Sequence, residues 1–217
     1  MGIIPVVNGI VLSAMPVGEY DKRLSILTKE RGKITAFARG ARKPKSPYIA
    51  AANPFATGSF EIYEGKNSYT LGKADIKEYF GDLQKDLKKA YYGLYFCEVA
   101  DYFSREAPDE DERITLLFKA LKALEKETLS VEHIRAVYEF KTMVINGEYP
   151  DVFSMDESAM PKSVLYAFQF IASKNAKEAF TFTLAEDLES GFTDIVGKYK
   201  REFFSHNFKS EEFLNLV

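Results

Sequence analysis

The chain has 217 residues, 46% of them hydrophobic and 28% charged, with 13 glycines and 8 prolines, a composition that excludes a disordered, fibrous or low-complexity protein. That length gives one large or two modest domains, each able to bury a core. The formal net charge of −3 hides a division: residues 1–80 hold 12 Lys and Arg against 7 Asp and Glu, a balance of +5, while residues 81–217 hold 17 against 25, a balance of −8. Such asymmetry points to nucleic-acid binding in the basic half.

The first 80 residues read as short strands between turn residues. Ile10, Leu12 and Ala14 alternate with Gly9, Val11 and Ser13. Leu24 and Ile26 alternate with Arg23 and Ser25, and Ile34, Ala36 and Ala38 with Lys33, Thr35, Phe37 and Arg39. Gly18, Gly32, Gly40, Pro44, Pro47, Pro54 and Gly65 punctuate them, and two further strand-like runs cover about residues 55–63 and 68–76. Five such strands predict a small barrel, of which the OB-fold is the commonest nucleic-acid-binding type; periodicity does not separate it from other small barrels.

After Gly81 the period becomes helical. Leu83, Leu87, Ala90, Tyr91, Leu94, Tyr95, Val99 and Tyr102 predict one long amphipathic helix ending near Pro108. A second carries Ile114, Leu117, Phe118, Leu121 and Leu124. A third runs from an N-cap at Ser130 through Ile134, Val137 and Tyr138 to a stop at Gly147. Residues 148–161 have no clear period and read as a loop or irregular insertion. Helix four carries Val164, Leu165, Phe168 and Ile171; helix five carries Leu188, Phe192, Ile195, Val196, Tyr199 and Phe203, with Thr183 and Glu186 spaced as a capping box. The expected architecture is α+β, with a barrel over residues 1–80 and a helical domain over 81–217.

The strongest chemical signal lies between Lys22 and Lys45, where nine basic residues stand against Glu30 alone. On the third strand, period two places Lys33, Thr35, Phe37 and Arg39 on one face. Cations there would track phosphates while an exposed ring stacks a base; the alternative is that Phe37 faces the barrel core and the charges form a solvated rim. The segment ARGARKPKS, residues 38–46, packs four cations with Gly and Pro and reads as a mobile or extended cationic loop, suited to salt-sensitive binding that is blind to sequence.

Other chemistry is not indicated. Cys97 lies on or beside a buried stripe and reads as an inert core thiol; as the single cysteine it excludes an internal disulfide and a zinc site of several thiolates, and fits a reducing cytoplasm. His133 and His206 lack a second ligand at metal spacing. The phosphate-binding G-x-x-x-x-G-K-[ST] and G-x-G-x-x-G patterns and the nucleophile pattern G-x-S-x-G are missing. Asp109, Glu110, Asp111 and Glu112 read as a solvated helix start. No catalytic residues, enzyme activity or cofactor are expected. No apolar run approaches the roughly 18 residues of a membrane span, and no basic region precedes the apolar start, so neither a membrane helix nor a signal peptide is expected.

The run GEYDKRLSILTKERGKITAFARGARKPKS, residues 18–46, resembles the N-terminal signature of the RecO family of bacterial recombination and repair proteins: G-E-x-D-[KR], T-x-x-x-G-[KR] and A-[RK]-G-[AV]-[RK] occur in order and at family spacing. NPFATGSFEIYEGKNSYTLGKADIKEYF resembles its closing strands, IRAVYEFKTMVINGEYP one of its helices, and FFSHNFKSEEFL its closing pattern with Phe208 in place of Leu. The resemblance implies an OB-fold followed by a helical domain. It implies a non-enzymatic mediator in DNA damage repair that binds single- and double-stranded DNA, anneals complementary strands, and helps load RecA on strands coated by single-strand-binding protein (SSB), with RecR as partner, in the cytoplasm at the bacterial nucleoid.

Carried to this chain, its DNA-contact candidates are Lys22, Arg23, Lys33, Arg39, Arg42, Lys43 and Lys45, beside Phe37. Arg135 would receive the acidic, apolar SSB tail next to Tyr138, unless it is an ordinary surface cation. The family's four-cysteine zinc module cannot be built from GEYPDVFSMDESAMPKS, so no metal is expected. The main rival is an OB-fold adaptor whose groove binds a protein or an oligosaccharide.

Overall fold

A computed structural model describes residues 5–66, 68–155, 158 and 160–214. Five strands close into a barrel: β1 (Val6–Val17), β2 (Asp21–Thr28), β3 (Gly32–Ala38), β4 (Thr57–Glu64) and β5 (Tyr69–Glu78), ordered β1-β2-β3-β5-β4. All neighbours pair antiparallel except β3 and β5, which run parallel, the arrangement of an OB-fold. Closure leaves no free sheet edge among the described residues.

The barrel interior is filled by Val7, Val11, Leu24, Ile26, Ile34, Phe60, Ile62 and Leu71. Strand β1 departs from the expectation of one buried face. Ile10, Val11 and Leu12 are all buried, and the β1–β2 register shifts between Val11 and Ser13. Val11 points into the barrel, whereas Ile10 and Leu12 join Leu27 and Phe55 in a second core shared with the helices. A strand covered on both sides loses the simple alternation that half-burial produces.

Among the described residues seven helices follow: α1 (Gly81–Lys85), α2 (Leu87–Phe103), α3 (Asp111–Glu125), α4 (Val131–Asn146), α5 (Lys162–Ser173), α6 (Glu186–Phe203) and α7 (Lys209–Leu214). The expected long helix is broken at Asp86, whose extended backbone ends α1 while its side chain accepts from the Lys89 N–H to start α2. Leu87 consequently faces solvent instead of the core. The Ser130 cap holds, its hydroxyl accepting from the His133 N–H, and α4 stops at Gly147. The capping box at Thr183 does not form: α6 begins only at Glu186, with Ala185 in the cap position and Glu186, Asp187 and Glu189 in its first turn to meet the helix dipole. Helix α7 was not foreseen from the sequence, being only six residues long. Described residues of the 148–161 segment form turns and bends, with Val152 buried; Asp156, Glu157 and Ala159 of that expectation lie outside the described residues.

The barrel is locked to the helices at the β2–β3 turn. The Lys33 N–H donates to the Arg105 carbonyl at 2.8 Å, the Arg31 guanidinium donates to the Tyr69 hydroxyl, and that hydroxyl donates to Glu106 at 2.6 Å. Gly32 sits at φ 65°, where a Cβ would lie 2.3 Å from the Arg105 carbonyl oxygen. No helix among the described residues is long and apolar enough to cross a membrane.

Candidate nucleic-acid interface

Lys33 on the outer face of β3 and Arg39, one residue past its end, differ in their surroundings. The Lys33 ammonium donates to the Asp101 carbonyl and pairs with its carboxylate at 3.6 Å, while Ser25 of β2 hydrogen-bonds the other oxygen of that carboxylate. Lys22 is likewise engaged, donating to the Ala52 carbonyl at 2.7 Å and to Asn53 at 3.1 Å. Of the expected DNA-contact residues, Lys22 and Lys33 thus have partners on their own chain, which a phosphate would have to displace.

Arg23, Arg39, Arg42, Lys43 and Lys45 are all exposed. Among the described residues none is in an ion pair. Arg23 donates only to the Met15 sulfur at 3.5 Å, Arg42 to the Gly18 carbonyl at 3.3 Å, and the Lys43 ammonium lies 5.2 Å from the centre of the half-exposed Tyr20 ring. Four of these cations lie within seven residues, and with Asp21 and Tyr48 three of them line an open groove of about 510 Å³.

The segment holding them is not extended but forms a chain of tight turns. The Gly40 N–H donates to the Asp21 carboxylate at 2.7 Å, the Arg42 N–H to the Tyr20 carbonyl at 2.8 Å, and the Lys43 N–H to the Gly40 carbonyl at 3.0 Å. Ala41 is buried against the barrel, and the Tyr48 hydroxyl is fastened to β5 at Gly72. Held on both sides, the loop presents its cations without the entropy loss of ordering a free chain.

Phe37 faces outwards and is only partly covered. Cross-strand register sets it opposite Arg23 on one side and Thr70 on the other; Arg23 in turn faces Met15, and Thr70 faces Tyr63. One row across the barrel thus reads Met15, Arg23, Phe37, Thr70, Tyr63. Sequence reasoning missed Met15, Tyr20 and Tyr63. The strand EIYE around Tyr63 carries no cation, and only the closed topology brings it to the basic side.

Arg135 and Tyr138 part company. Tyr138 is 1% exposed, stacked on Phe96 and donating to the Phe96 carbonyl at 2.8 Å, so it is a core residue out of reach of a partner. Arg135 donates to Glu139 at 2.9 Å and to Glu211 of α7 at 2.5 Å, above the Tyr95 ring. Lys200 also reaches Glu139 and Glu211, and Arg135, Lys200, Arg201, Phe204, His206 and Glu211 line a groove of about 360 Å³. Burial works against the Glu211 charge, yet the Lys200 hydrogen bond and the nearby Arg135 hold its pKa below the usual carboxylate value.

Elsewhere the titratable groups are structural. Burial pushes the Cys97 thiol far up, and it is an inert core group. Burial lowers the pKa of His133, which packs against Phe182 and Phe192. The acidic start of α3 is less solvated than expected: Glu110 pairs with the buried Arg113 at 2.8 Å, and Glu112 accepts from the Ala176 N–H. Among the described residues no three His, Cys, Asp or Glu side chains converge as metal ligands.

Two family models match the chain: "Recombination protein O N terminal" over residues 5–80 and "Recombination protein O C terminal" over residues 84–158. Curated proteins named DNA repair protein RecO are similar to it. That of Alkaliphilus metalliredigens is 34% identical over 147 residues, which cover 68% of this chain and 60% of the relative. That of Listeria monocytogenes is 31% identical over 168 residues, covering 77% and 64%. That of Acetivibrio thermocellus is 24% identical over an alignment of 240 residues, which takes in 97% of this chain and 96% of the relative. The better-conserved matches thus span a little under two thirds of their relatives' length.

Proposed function

We propose that this chain, which belongs to the RecO family of DNA repair proteins, acts as a DNA-binding mediator that brings complementary strands together and asks no covalent chemistry of its own residues. The observation that carries the reading is the anchored turn segment, where Arg39, Arg42, Lys43 and Lys45 stand exposed and without acidic partners among the described residues. Phosphates of a passing strand would replace solvent around them and release counterions, giving affinity that falls steeply with salt and ignores sequence. Two strands held by the same basic face meet at raised local concentration, which lowers the entropic cost of pairing.

The finer role follows the family: annealing of complementary strands and assistance to RecA on SSB-coated single strands, with RecR and the SSB tail as partners, in the cytoplasm at the nucleoid. The basic groove around Arg135 and Lys200 suits an acidic, apolar tail, with the chain's own Glu211 as the group such a tail displaces.

A salt titration of a fluorescent single strand tests the DNA reading. The logarithm of affinity should fall linearly with the logarithm of salt, and the triple variant Arg39→Glu, Arg42→Glu, Lys43→Glu should lose most of the binding. Affinity indifferent to salt or to that reversal would turn the assignment to an adaptor whose groove takes a protein or a sugar. Annealing of strands coated with SSB, with and without the last residues of its tail, tests the partner half; stimulation that survives tail removal would refute the tail contact.

A further inference from the structure

The row that crosses the barrel holds a second kind of contact beside the cations. The backbones of Phe37 and Tyr63 lie on either side of Thr70, two strand spacings or roughly 9–10 Å apart. Tyr63 is 49% exposed and its hydroxyl has no hydrogen-bond partner among the described residues, so the ring neither fills the core nor anchors a loop. It also lies down on the sheet. A Cβ built on Gly72 would come within 2.5 Å of the Tyr63 Cε2, which means the ring covers the one nearby position with no side chain to lift it. The β4–β5 register shifts at this point, between Phe60 and Ile62, which sets the local tilt of the strand. Arg23 flanks Phe37 directly across the ladder, and Arg39 follows it two residues on, so cations border the platform on the loop side while Glu61 and Glu64 lie on the far strand.

We propose that Phe37 and Tyr63 form a two-ring platform for unpaired bases, and that this platform lets the site sense whether a strand is paired. The inference rests on the reading of the cationic loop as a phosphate site. A duplex keeps its bases paired and turned inwards, and cannot lay one on either ring without unpairing and unstacking it. A single strand can splay its bases onto both rings while its phosphates follow Arg39 to Lys45. The duplex keeps only the loop contacts. Pairing therefore withdraws bases from the rings, and the annealed product is held less tightly than the strand that entered, which favours its release.

The test compares the full chain with Tyr63→Leu, Tyr63→Phe and Phe37→Leu by fluorescence anisotropy. The probes are a labelled mixed-sequence single strand, the same strand with abasic sites in place of its central bases, and its blunt duplex. Stacking on one ring is worth roughly 5- to 150-fold in affinity. Tyr63→Leu and Phe37→Leu should each weaken single-strand binding by a factor in that range and leave duplex binding unchanged; Tyr63→Phe should keep both. The abasic strand should bind the wild type and Tyr63→Leu alike. Equal loss on single strand and duplex, or no loss on the single strand, overturns the platform and leaves the loop reading standing. Salt-independent binding, or no DNA binding by the wild type, overturns the loop reading and the platform with it.

Discussion

The Tyr48 hydroxyl donates to the main-chain carbonyl of Gly72, the strand residue that lies beneath the Tyr63 ring. One hydrogen bond thus fixes the far end of the cationic loop to the spot where the exposed aromatic row ends. The loop cations and the exposed aromatic row are held in one frame, although Lys45 and Tyr63 belong to different elements of the barrel. Substituting Gly72→Ala probes this frame. The new methyl would press only on the edge of the Tyr63 ring, at 2.5 Å, the Glu61 carbonyl oxygen lying at an ordinary 3.4 Å, so the ring swings aside at little cost to the fold. Thermal stability should change by less than about 1 kcal/mol, while single-strand affinity falls about as far as in Tyr63→Leu. Urea unfolding beside anisotropy on the same sample separates the two effects.

Gly32→Ala should behave in the opposite way. Gly32 sits at φ 65°, and its added carbon would press on the carbonyls of Arg105 and Ala107, at 2.3 and 2.5 Å, where the α2–α3 connection packs on the β2–β3 turn. Neither neighbour is a side chain that can swing away. A left-handed backbone costs a non-glycine residue about 1–2 kcal/mol, and the clash adds to it, so a loss of at least 2 kcal/mol is expected, on the order of the larger single-site effects. Equilibrium denaturation measures it; a variant as stable as the parent would show that the barrel is not locked to the helices at this turn.

Lys33 and Lys43 carry the same charge in the same basic stretch, and they should give different phenotypes. Lys33 is tied to Asp101, so Lys33→Ala should cost about 1 kcal/mol of stability and leave the salt dependence of DNA binding unchanged. Lys43 has no ion pair among the described residues, so Lys43→Ala should leave stability alone and reduce the salt slope by about 0.7 on a single strand or 0.9 on a duplex. Matched titrations from low to moderate salt report both slopes.

The alternation of β2 and β3 and the basic density from Lys22 to Lys45 could be read from residue order alone, because half-buried strands and exposed cations leave period and composition as traces. Partnership leaves no such trace. Lys22 and Lys33 look like Lys43 in the sequence, and only folding places Ala52 and Asp101 beside them. Strand β1 hid its double burial for a related reason: Val11 and Leu12 belong to different cores, and a single-face pattern has no place for both. Tyr138 sits on the apolar stripe of α4 that periodicity marked, and that stripe is core, so its expected partner contact gave way to a hydrogen bond with Phe96. Tyr63 went unseen because its significance lies in a register across three strands.

Helix α7 supplies the competitor for any acidic partner at Arg135. Glu211 accepts hydrogen bonds from both Arg135 and Lys200, while Phe213 stacks on Tyr91 with ring centres 5.5 Å apart. An incoming acidic tail must displace that carboxylate. Glu211→Gln keeps the shape and removes the charge, so binding of an acidic, apolar peptide should strengthen by about fivefold, the equivalent of roughly 1 kcal/mol. The folded-state pKa of Glu211 is held below the ordinary value, so its stabilising contribution is complete above about pH 4.5 and fades as pH falls from there. Isothermal titration with the peptide at neutral pH is decisive; unchanged affinity in Glu211→Gln would place the tail elsewhere.

A second acid response should begin at higher pH and belong to His133. The imidazole is 2% exposed, packed between Phe182 and Phe192, with its Nε2 lacking any partner among the described residues and its Nδ1 4.0 Å from Glu189 of α6. Burial disfavours the charged ring more than Glu189 favours it, so the pKa in the fold lies below the ordinary value near 6.5. The unfolded chain therefore binds this proton at a pH where the folded chain does not. The contribution of His133 to stability is full above about pH 6.5 and declines as pH falls below it, until the folded-state pKa is reached. Carboxylates such as Glu211 respond only in a lower range, so the two windows separate. In His133→Phe the ring volume is roughly kept, the unpaired buried nitrogen is gone, and the main-chain N–H still meets the Ser130 hydroxyl. Its urea midpoint should stay level between pH 7.5 and 5.5, where that of the parent chain drops; parallel declines would mean that another group carries the proton.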